Sequence, residues 1–359
     1  MRRDFIQIRI CRGTKRMKVK LFDVCDRGTS NYTQKDLDKL YGEYPIYGAG
    51  GFIKNIDTYQ QDKEYIAVVK DGAGIGRTMF LPAKSSVIGT LQYILPKNNI
   101  EAKFLYYVIK AMHLERFYTG TTIPHIYFKD YQQEEFELPD KTEQKQIIRI
   151  FENLEGIIKK RQYQLQELDT LIKSRFVEMF GDPVRNSKGW VKKPFLDMGN
   201  CKNGMNFHYE DTGIEINCLS VGDFKDLTSI DNVEKLPKVS LDRMPPEEYL
   251  LKDGDIVFVR SNGNKALVGR SVTVYPGDVP TTFSGFCIRY RKTEKAISVP
   301  YLLRVLKTDS MRQKMVGRGA NIQNLNQQIL GTLEIPVPPI ELQNQFAAFA
   351  QQTDKLKVA

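Results

Sequence analysis

Between Glu143 and Phe180, apolar side chains recur at Ile147, Phe151, Leu154, Ile158, Leu165, Leu168, Ile172 and Met179, in steps of four and three that only Arg161 and Arg175 interrupt. That spacing is a coiled-coil seam kept over more than four heptads. Pro139 and Thr142 precede it, Gly156 is its one internal glycine, and Gly181-Asp182-Pro183 follows, so the pattern predicts one uninterrupted helix. At 1.5 Å per residue such a helix is roughly 55 to 60 Å long, more than a small domain is wide. A second seam at Leu342, Phe346, Phe349, Thr353 and Leu356 spans about 17 residues, roughly 25 Å, less than half of the first. The rest of the long seam, including Leu165, Leu168 and Ile172, is therefore expected to pack on something beyond this short helix, such as a partner subunit or a second copy.

The flanks read differently. Tyr65 to Lys70, Thr78 to Leu81 and Gln92 to Leu95 are rich in β-branched and aromatic residues and separated by glycine-bearing turns, which predicts strands. Ala102 to His113 follows with Phe104, Leu105, Val108, Ile109 and Met112 at helical spacing. After Pro183 the order begins again. Asp255 to Arg260 echoes the Tyr65 strand, Val268-Gly269-Arg270 echoes Ile75-Gly76-Arg77, and a helix is predicted over Val299 to Lys314. Phe104 and Tyr301, Leu105 and Leu302, Lys110 and Lys307, Gly120 and Gly317, Glu137 and Glu334, Pro139 and Pro336 all lie 197 residues apart, which argues for duplication. Leu342-Gln343-Asn344-Gln345-Phe346 repeats the opening of the long helix. The expected fold class is α+β, with two mixed α/β domains at 17–140 and 183–338, spacer helices at 141–182 and 339–359, and a pseudo-twofold internal repeat.

Composition narrows the classes. A hydrophobic fraction of 41% supports ordinary cores, and no apolar run is long enough for a membrane span or a secretory signal, so a cytoplasmic protein is expected. Cys11, Cys25, Cys201, Cys218 and Cys287 form no CxxC pair and suit reduced thiols, while His113, His125 and His208 stand apart, so no metal site is expected. Of the net +10, residues 1–16 carry +5 and the long helix +1, leaving +4 on the folded flanks, only a mild pointer to nucleic acid. Residues 1–16 are either a basic arm or a leader ahead of a true start at Met17; the intact mass of the natively expressed protein separates the two.

Four signatures, taken in order, resemble the specificity subunit of Type I restriction-modification enzymes. They are Tyr44-Pro45-Ile46-Tyr47-Gly48-Ala49-Gly50-Gly51, then Val69-Lys70-Asp71-Gly72-Ala73-Gly74-Ile75-Gly76, then Leu138-Pro139 with Glu143-Gln144-Lys145-Gln146-Ile147-Ile148, and finally Phe176-Val177-Glu178-Met179-Phe180-Gly181-Asp182-Pro183. The resemblance spans Met17 to Leu356. It implies two target-recognition domains that read the halves of a bipartite site in double-stranded DNA, held apart by the spacer helices. It also implies that this chain has no catalysis or cofactor of its own. Two methyltransferase subunits using S-adenosylmethionine, and restriction/translocase subunits using ATP and magnesium, would supply the chemistry. The short second helix departs from that pattern.

Apparent catalytic motifs have plainer explanations. Gly72 to Gly76 follows a predicted strand as a nucleotide-binding loop would, but Arg77 to Pro82 reads as another strand, so no helix N-terminus is on hand for a phosphate. Pro139-Asp140 with Glu143-Gln144-Lys145 straddles a loop and a helix start, where such residues act as caps. Met244-Pro245-Pro246 lacks the residues an adenine methyltransferase carries around its paired prolines. An enzyme fused to its own recognition domain, a methyltransferase or a nuclease, is the competing reading, and a scaffold with no DNA role is the third. Candidate DNA contacts in the first domain are Lys70, Arg77, Thr121, Thr122, His125, Tyr127 and Lys129. In the second they are Arg260, Asn262, Asn264, Lys265, Arg270, Arg318, Asn321, Gln323 and Asn324, since arginine pairs with guanine and amides with adenine in the major groove. Lys54 and Lys202 are candidates for phosphate contacts.

Overall fold

The computed structural model describes residues 17–72, 74–118, 124–206, 213–225, 227–316 and 324–358. The chain divides into two units, Met1–Lys160 and Arg161–Ala359, and the division falls within the long helix.

The first unit runs β1 (Met17–Lys20), α1 (Leu21–Val24), β2 (Cys25–Thr29), β3 (Tyr44–Gly48), β4 (Gly51–Ile56), β5 (Tyr65–Val69), β6 (Thr78–Leu81), β7 (Ser86–Val87), β8 (Leu91–Pro96), α2 (Ala102–Ala111), α3 (Phe128–Tyr131) and β9 (Glu135–Leu138) before entering α4 (Lys141–Phe180). Its sheets have the orders β2-β8-β5-β6 and β4-β3-β7, and β1 pairs with β9. β5 has no polar residue because both of its faces are covered. Ile66 and Val68 join a core with Phe104 and Leu105 of α2, while Tyr65, Ala67 and Val69 face Ile46 and Val87 of the other sheet.

The second unit runs β10 (Lys192–Pro194), β11 (Gly199–Asn203), β12 (Ile214–Leu219), β13 (Ser229–Ile230), β14 (Lys238–Leu241), β15 (Asp255–Val259), β16 (Ser271–Val274), β17 (Thr281–Phe283), β18 (Cys287–Lys292), α5 (Val299–Leu306), α6 (Asp309–Val316), α7 (Gln327–Gly331), β19 (Glu334–Pro336) and α8 (Ile340–Val358). Its sheets, β11-β18-β15-β16-β13 and β14-β12-β17 with the pair β10-β19, reproduce the first unit strand for strand, β13 being an addition. Even the mixed pairing recurs, since β3 is parallel to β7 and β12 is parallel to β17. β15 repeats the two-faced burial, with Ile256 and Phe258 in one core and Val257 and Val259 in the other.

The internal repeat is therefore physical, but its register slips. The 197-residue offset holds at α2 and α5, where Leu105 N donates to Glu101 O and Leu302 N to Ser298 O. Beyond these helices, Leu21 N bonds Glu134 O at 3.0 Å and Phe195 N bonds Leu333 O at 2.9 Å, so Glu134 matches Leu333 and the offset becomes 199. The expected pairs Glu137/Glu334 and Pro139/Pro336 are thus misaligned by two residues, because the second copy's connection is two residues longer. The Gly120/Gly317 pair lies outside the described residues. The helix expected over Val299 to Lys314 is in fact two, since Thr308 Oγ1 donates to Val305 O at 2.8 Å and accepts from Met311 N at 3.4 Å, ending α5 and opening α6.

Helix α4 is continuous over 40 residues, about 60 Å, and ends where Gly181 takes φ +76 and donates to Val177 O at 2.8 Å. In the first unit its start packs through Ile147, Ile148 and Phe151, whose ring stacks on Tyr107 at 4.6 Å. In the second unit Ile172, Phe176 and Phe180 are buried against α5 and α8. α8 reaches back as far as Arg161, whose guanidinium donates to Lys357 O at 3.1 Å, while Lys357 Nζ lies 2.7 Å from Asp169. This corrects the expectation for the uncovered seam. Ile172 is in the core of its own chain, Leu165 and Leu168 are half-buried, and the open part is Leu154 and Ile158, with Ile157 beside them at 64% exposed. Of the short seam, Phe346 is buried and Phe349 half-buried, but Leu356 is exposed.

Candidate nucleic-acid interface

In the first unit, β5 delivers Lys70 and Asp71 to a point where the chain returns. Ile126 N donates to Lys70 O at 2.9 Å, and Asp71 and His125 form an antiparallel bridge. His125 Nδ1 is 2.6 Å from Asp71 Oδ1, and Lys70 Nζ is 3.9 Å from the same carboxylate. Tyr127, 48% exposed, lies nearly parallel to the His125 ring with centroids 6.3 Å apart, and Lys129 Nζ sits 5.4 Å from its centroid. The result is a half-exposed group of two cations, a carboxylate, an imidazole and a phenol. Arg77 is exposed and donates to Ala49 O at 2.9 Å.

The glycine loop beside this group is a turn. Gly74 N and Ile75 N donate to Gly72 O, and Gly76 N to Val69 O, so N–H groups a phosphate would need are committed to the chain. Gly76 has φ +80, and a Cβ there would lie 2.6 Å from Glu115 N, which leaves no room for a side chain.

The second unit builds the same frame with different side chains. Leu325 N donates to Arg260 O at 2.8 Å, Ser261 and Asn324 form the antiparallel bridge, and Val259 N bonds Arg270 O at 2.9 Å just as Val69 N bonds Arg77 O. Arg260 Nη1 donates to Gly285 O at 3.2 Å. Asn262 Oδ1 accepts from Asn264 N at 2.8 Å and Asn264 Oδ1 from Ala266 N at 3.0 Å, so these two amide oxygens cap their own turn beside Lys265. Arg270 Nη1 bonds Lys225 O at 2.9 Å.

The two phosphate candidates are tied down. Lys54 Nζ donates to Leu37 O at 2.9 Å and lies 3.9 Å from the Tyr41 centroid. Lys202 Nζ is 2.7 Å from Glu248 Oε1, a contact that raises its pKa, and sits over Tyr249. Thr121, Thr122, Arg318, Asn321 and Gln323 lie outside the described residues. The structure adds groups that sequence reasoning missed. Phe286, 62% exposed, supplies the carbonyl that accepts from Arg260 N, and Gln327 Nε2 is 3.3 Å from Asn203 Oδ1. Only the Ser284-Gly285 turn before Phe286 hinted at its exposure.

Among the described residues no His, Cys, Asp or Glu cluster suits a metal ion, and no helix is long and apolar enough to cross a membrane. Burial pushes the thiols of Cys25, Cys201 and Cys218 up to about 12, so these three are poor nucleophiles near neutrality. The arrangement suits recognition: two like frames, each presenting polar and aromatic side chains at the end of a buried central strand.

Frame and helix together define the class of two-domain recognition subunits built on a long spacer helix. The Type I restriction modification DNA specificity domain profile matches residues 15–168 and 233–359, and the chain belongs to that family of DNA sequence-recognition subunits. It is 25% identical over 319 residues to the Type I restriction enzyme MjaVIII specificity subunit of Methanocaldococcus jannaschii, covering 81% of this chain and 72% of that one. It is 26% identical over 236 residues to the StySPI specificity subunit of Salmonella potsdam, covering 60% of this chain and 49% of the relative. The fold is similar to the crystal structure of the Type I restriction-modification S subunit from M. genitalium, with a TM-score of 0.58 at 16% identity over 98% of this chain and 92% of the other.

Proposed function

We propose that this chain reads a bipartite DNA site, one half with each unit, and carries out no chemistry itself. The observation that carries the reading is the repetition of one frame with different contents. Lys70 and Arg260 hold the same backbone position, as do Asp71 and Ser261, and His125 and Asn324. Equivalent scaffolds with unlike side chains suit two different half-sites. Arg260 would pair with guanine, Asn324 with adenine, and Tyr127 and Phe286 would stack on or wedge against the duplex. Methyltransferase and restriction/translocase subunits, with S-adenosylmethionine, ATP and magnesium, would supply modification and cleavage. α4 serves as the spacer, and its exposed Leu154, Ile157 and Ile158 are surface for a partner subunit or a second copy.

The test is to co-express the chain with its methyltransferase and map methylated adenines genome-wide by long-read sequencing. Arg260→Ala should relax or change one half of the methylated motif and leave the other half intact. An unchanged motif with the variant folded, or methylation by the purified chain alone, would refute the assignment.

A further inference from the structure

Two glutamines stand out because the repeat keeps their entire bonding pattern. Gln144 and Gln343 are both fully buried, at 0% exposure, in the first turns of α4 and α8. Gln144 Oε1 accepts from Glu101 N at 2.7 Å, while its Nε2 donates to Pro139 O at 2.9 Å and Asn99 O at 3.3 Å. Gln343 Oε1 accepts from Ser298 N at 2.8 Å, while its Nε2 donates to Pro338 O at 2.7 Å and Ala296 O at 3.0 Å. Each amide thus joins three segments: the chain leaving β9 or β19, the N-cap of α2 or α5, and the helix that follows the unit. Because oxygen and nitrogen have opposite partners, the amide has one satisfactory orientation and the helix one azimuth.

From this we infer that Gln144 and Gln343 are positioning residues that key each recognition unit to its own spacer helix and so set the spacing at which the two halves of the DNA site are accepted. The inference rests on the bipartite reading above. Core packing alone would hold the helix down, as Ile147 and Phe346 do, but apolar contacts tolerate small rotations that a three-bond amide does not. A rotation at the helix start would turn a unit on its helix while leaving the side chains of its reading surface in place, so the clamp is inferred to act on spacing and not on base preference.

Gln144→Glu and Gln343→Glu test this with little change of shape. Each keeps the acceptor for Glu101 N or Ser298 N and turns the two donated bonds into carboxylate facing carbonyl. Gln144→Met, which removes all three bonds, is the second variant, and thermal melts of each reconstituted complex select the assay temperature at which it stays folded. The readout is the distribution of spacer lengths among methylated sites. The expected result is unchanged half-site bases, with methylation at spacers one base pair longer or shorter raised about tenfold over wild type, the scale of one or two lost hydrogen bonds. A folded variant with the wild-type spacer distribution, or one with altered half-site bases, overturns the inference. The wild-type complex controls for the underlying reading: if it methylates no bipartite motif, that reading has failed and this inference falls with it, whereas a wild-type bipartite motif with unshifted variants sinks the inference alone.

Discussion

Phe346→Ala probes the joint between the helices of the second unit. The Phe346 ring is 1% exposed and meets Phe176 at 5.4 Å and Phe180 at 5.7 Å, both edge-on, and the latter two pack on Tyr301 at 5.8 and 4.8 Å. Tyr301 is pinned in turn by its hydroxyl, which donates to Pro336 O at 2.9 Å. With walls supplied by α4 and α5, the site has little freedom to collapse, so truncation should cost about 3 to 5 kcal/mol, the range for removing a buried phenyl ring. That figure includes the two edge-to-face pairs at about 0.5 to 1.5 kcal/mol each. Trp190, the only tryptophan, donates Nε1 to Phe180 O at 3.1 Å and so reports on this joint. Urea unfolding followed by its fluorescence measures the cost directly. Leu356→Ala, at an exposed position on the same helix, should cost under about 0.5 kcal/mol. A Phe346→Ala loss below about 1 kcal/mol, or one matched by Leu356→Ala, would refute the view that α8 is locked onto α4 through this cluster.

Two further predictions concern the second unit. Asp255, 1% exposed, takes a bidentate bond from Arg291 at 2.9 and 2.7 Å, so Asp255→Ala leaves a half-buried guanidinium without its carboxylate and should cost about 2 to 3 kcal/mol in the same urea assay. Lys307 has its pKa pulled from 10.5 to about 8 by burial and then by Arg304 and Arg270. Below about 8 the lysine is charged in both folded and unfolded chains and the penalty is complete; between 8 and 10.5 the unfolded chain holds more protons, so stability rises with pH. Lys307→Met should therefore melt higher than wild type at pH 7, and the gap should close as the pH is raised through that window; a gap that widens with pH would contradict the burial argument.

How much of this was legible depended on whether a feature is local. α4 could be read because its apolar period is interrupted only at Arg161 and Arg175 and its stop is a glycine in a left-handed conformation. The strands β5 and β15 could be read because burial on both faces leaves Tyr65–Val69 and Ile256–Val259 as apolar runs, Asp255 at the start of β15 being buried only by virtue of its bond to Arg291. The repeat could be aligned at α2 and α5 and at the openings of α4 and α8, but not at the strands between them, since helices preserve a fixed offset and the loops after them need not. The break at Thr308 was hidden because Met311 and Met315 continue an apolar pattern into α6. The reach of α8 was underestimated because polar contacts at Arg161 and Lys357, which a hydrophobic seam does not encode, carry it to the middle of α4. At the candidate interface, Lys70 and Arg260 were readable as basic residues ending strands. The exposure of Phe286 and the tethering of Lys54 and Lys202 depend on residues far away in the chain, which a linear motif does not show.

The central claim is that two independent reading units share one chain. Its most direct test replaces residues 17–140 with the corresponding segment of another specificity subunit, joined at the start of α4, and maps the adenines methylated by the reconstituted complex. The account predicts a bipartite motif in which one half is exchanged for the donor's and the other half remains that of the parent. A hybrid that changes both halves together, or a parent complex whose methylated motif is a single uninterrupted sequence, would contradict it.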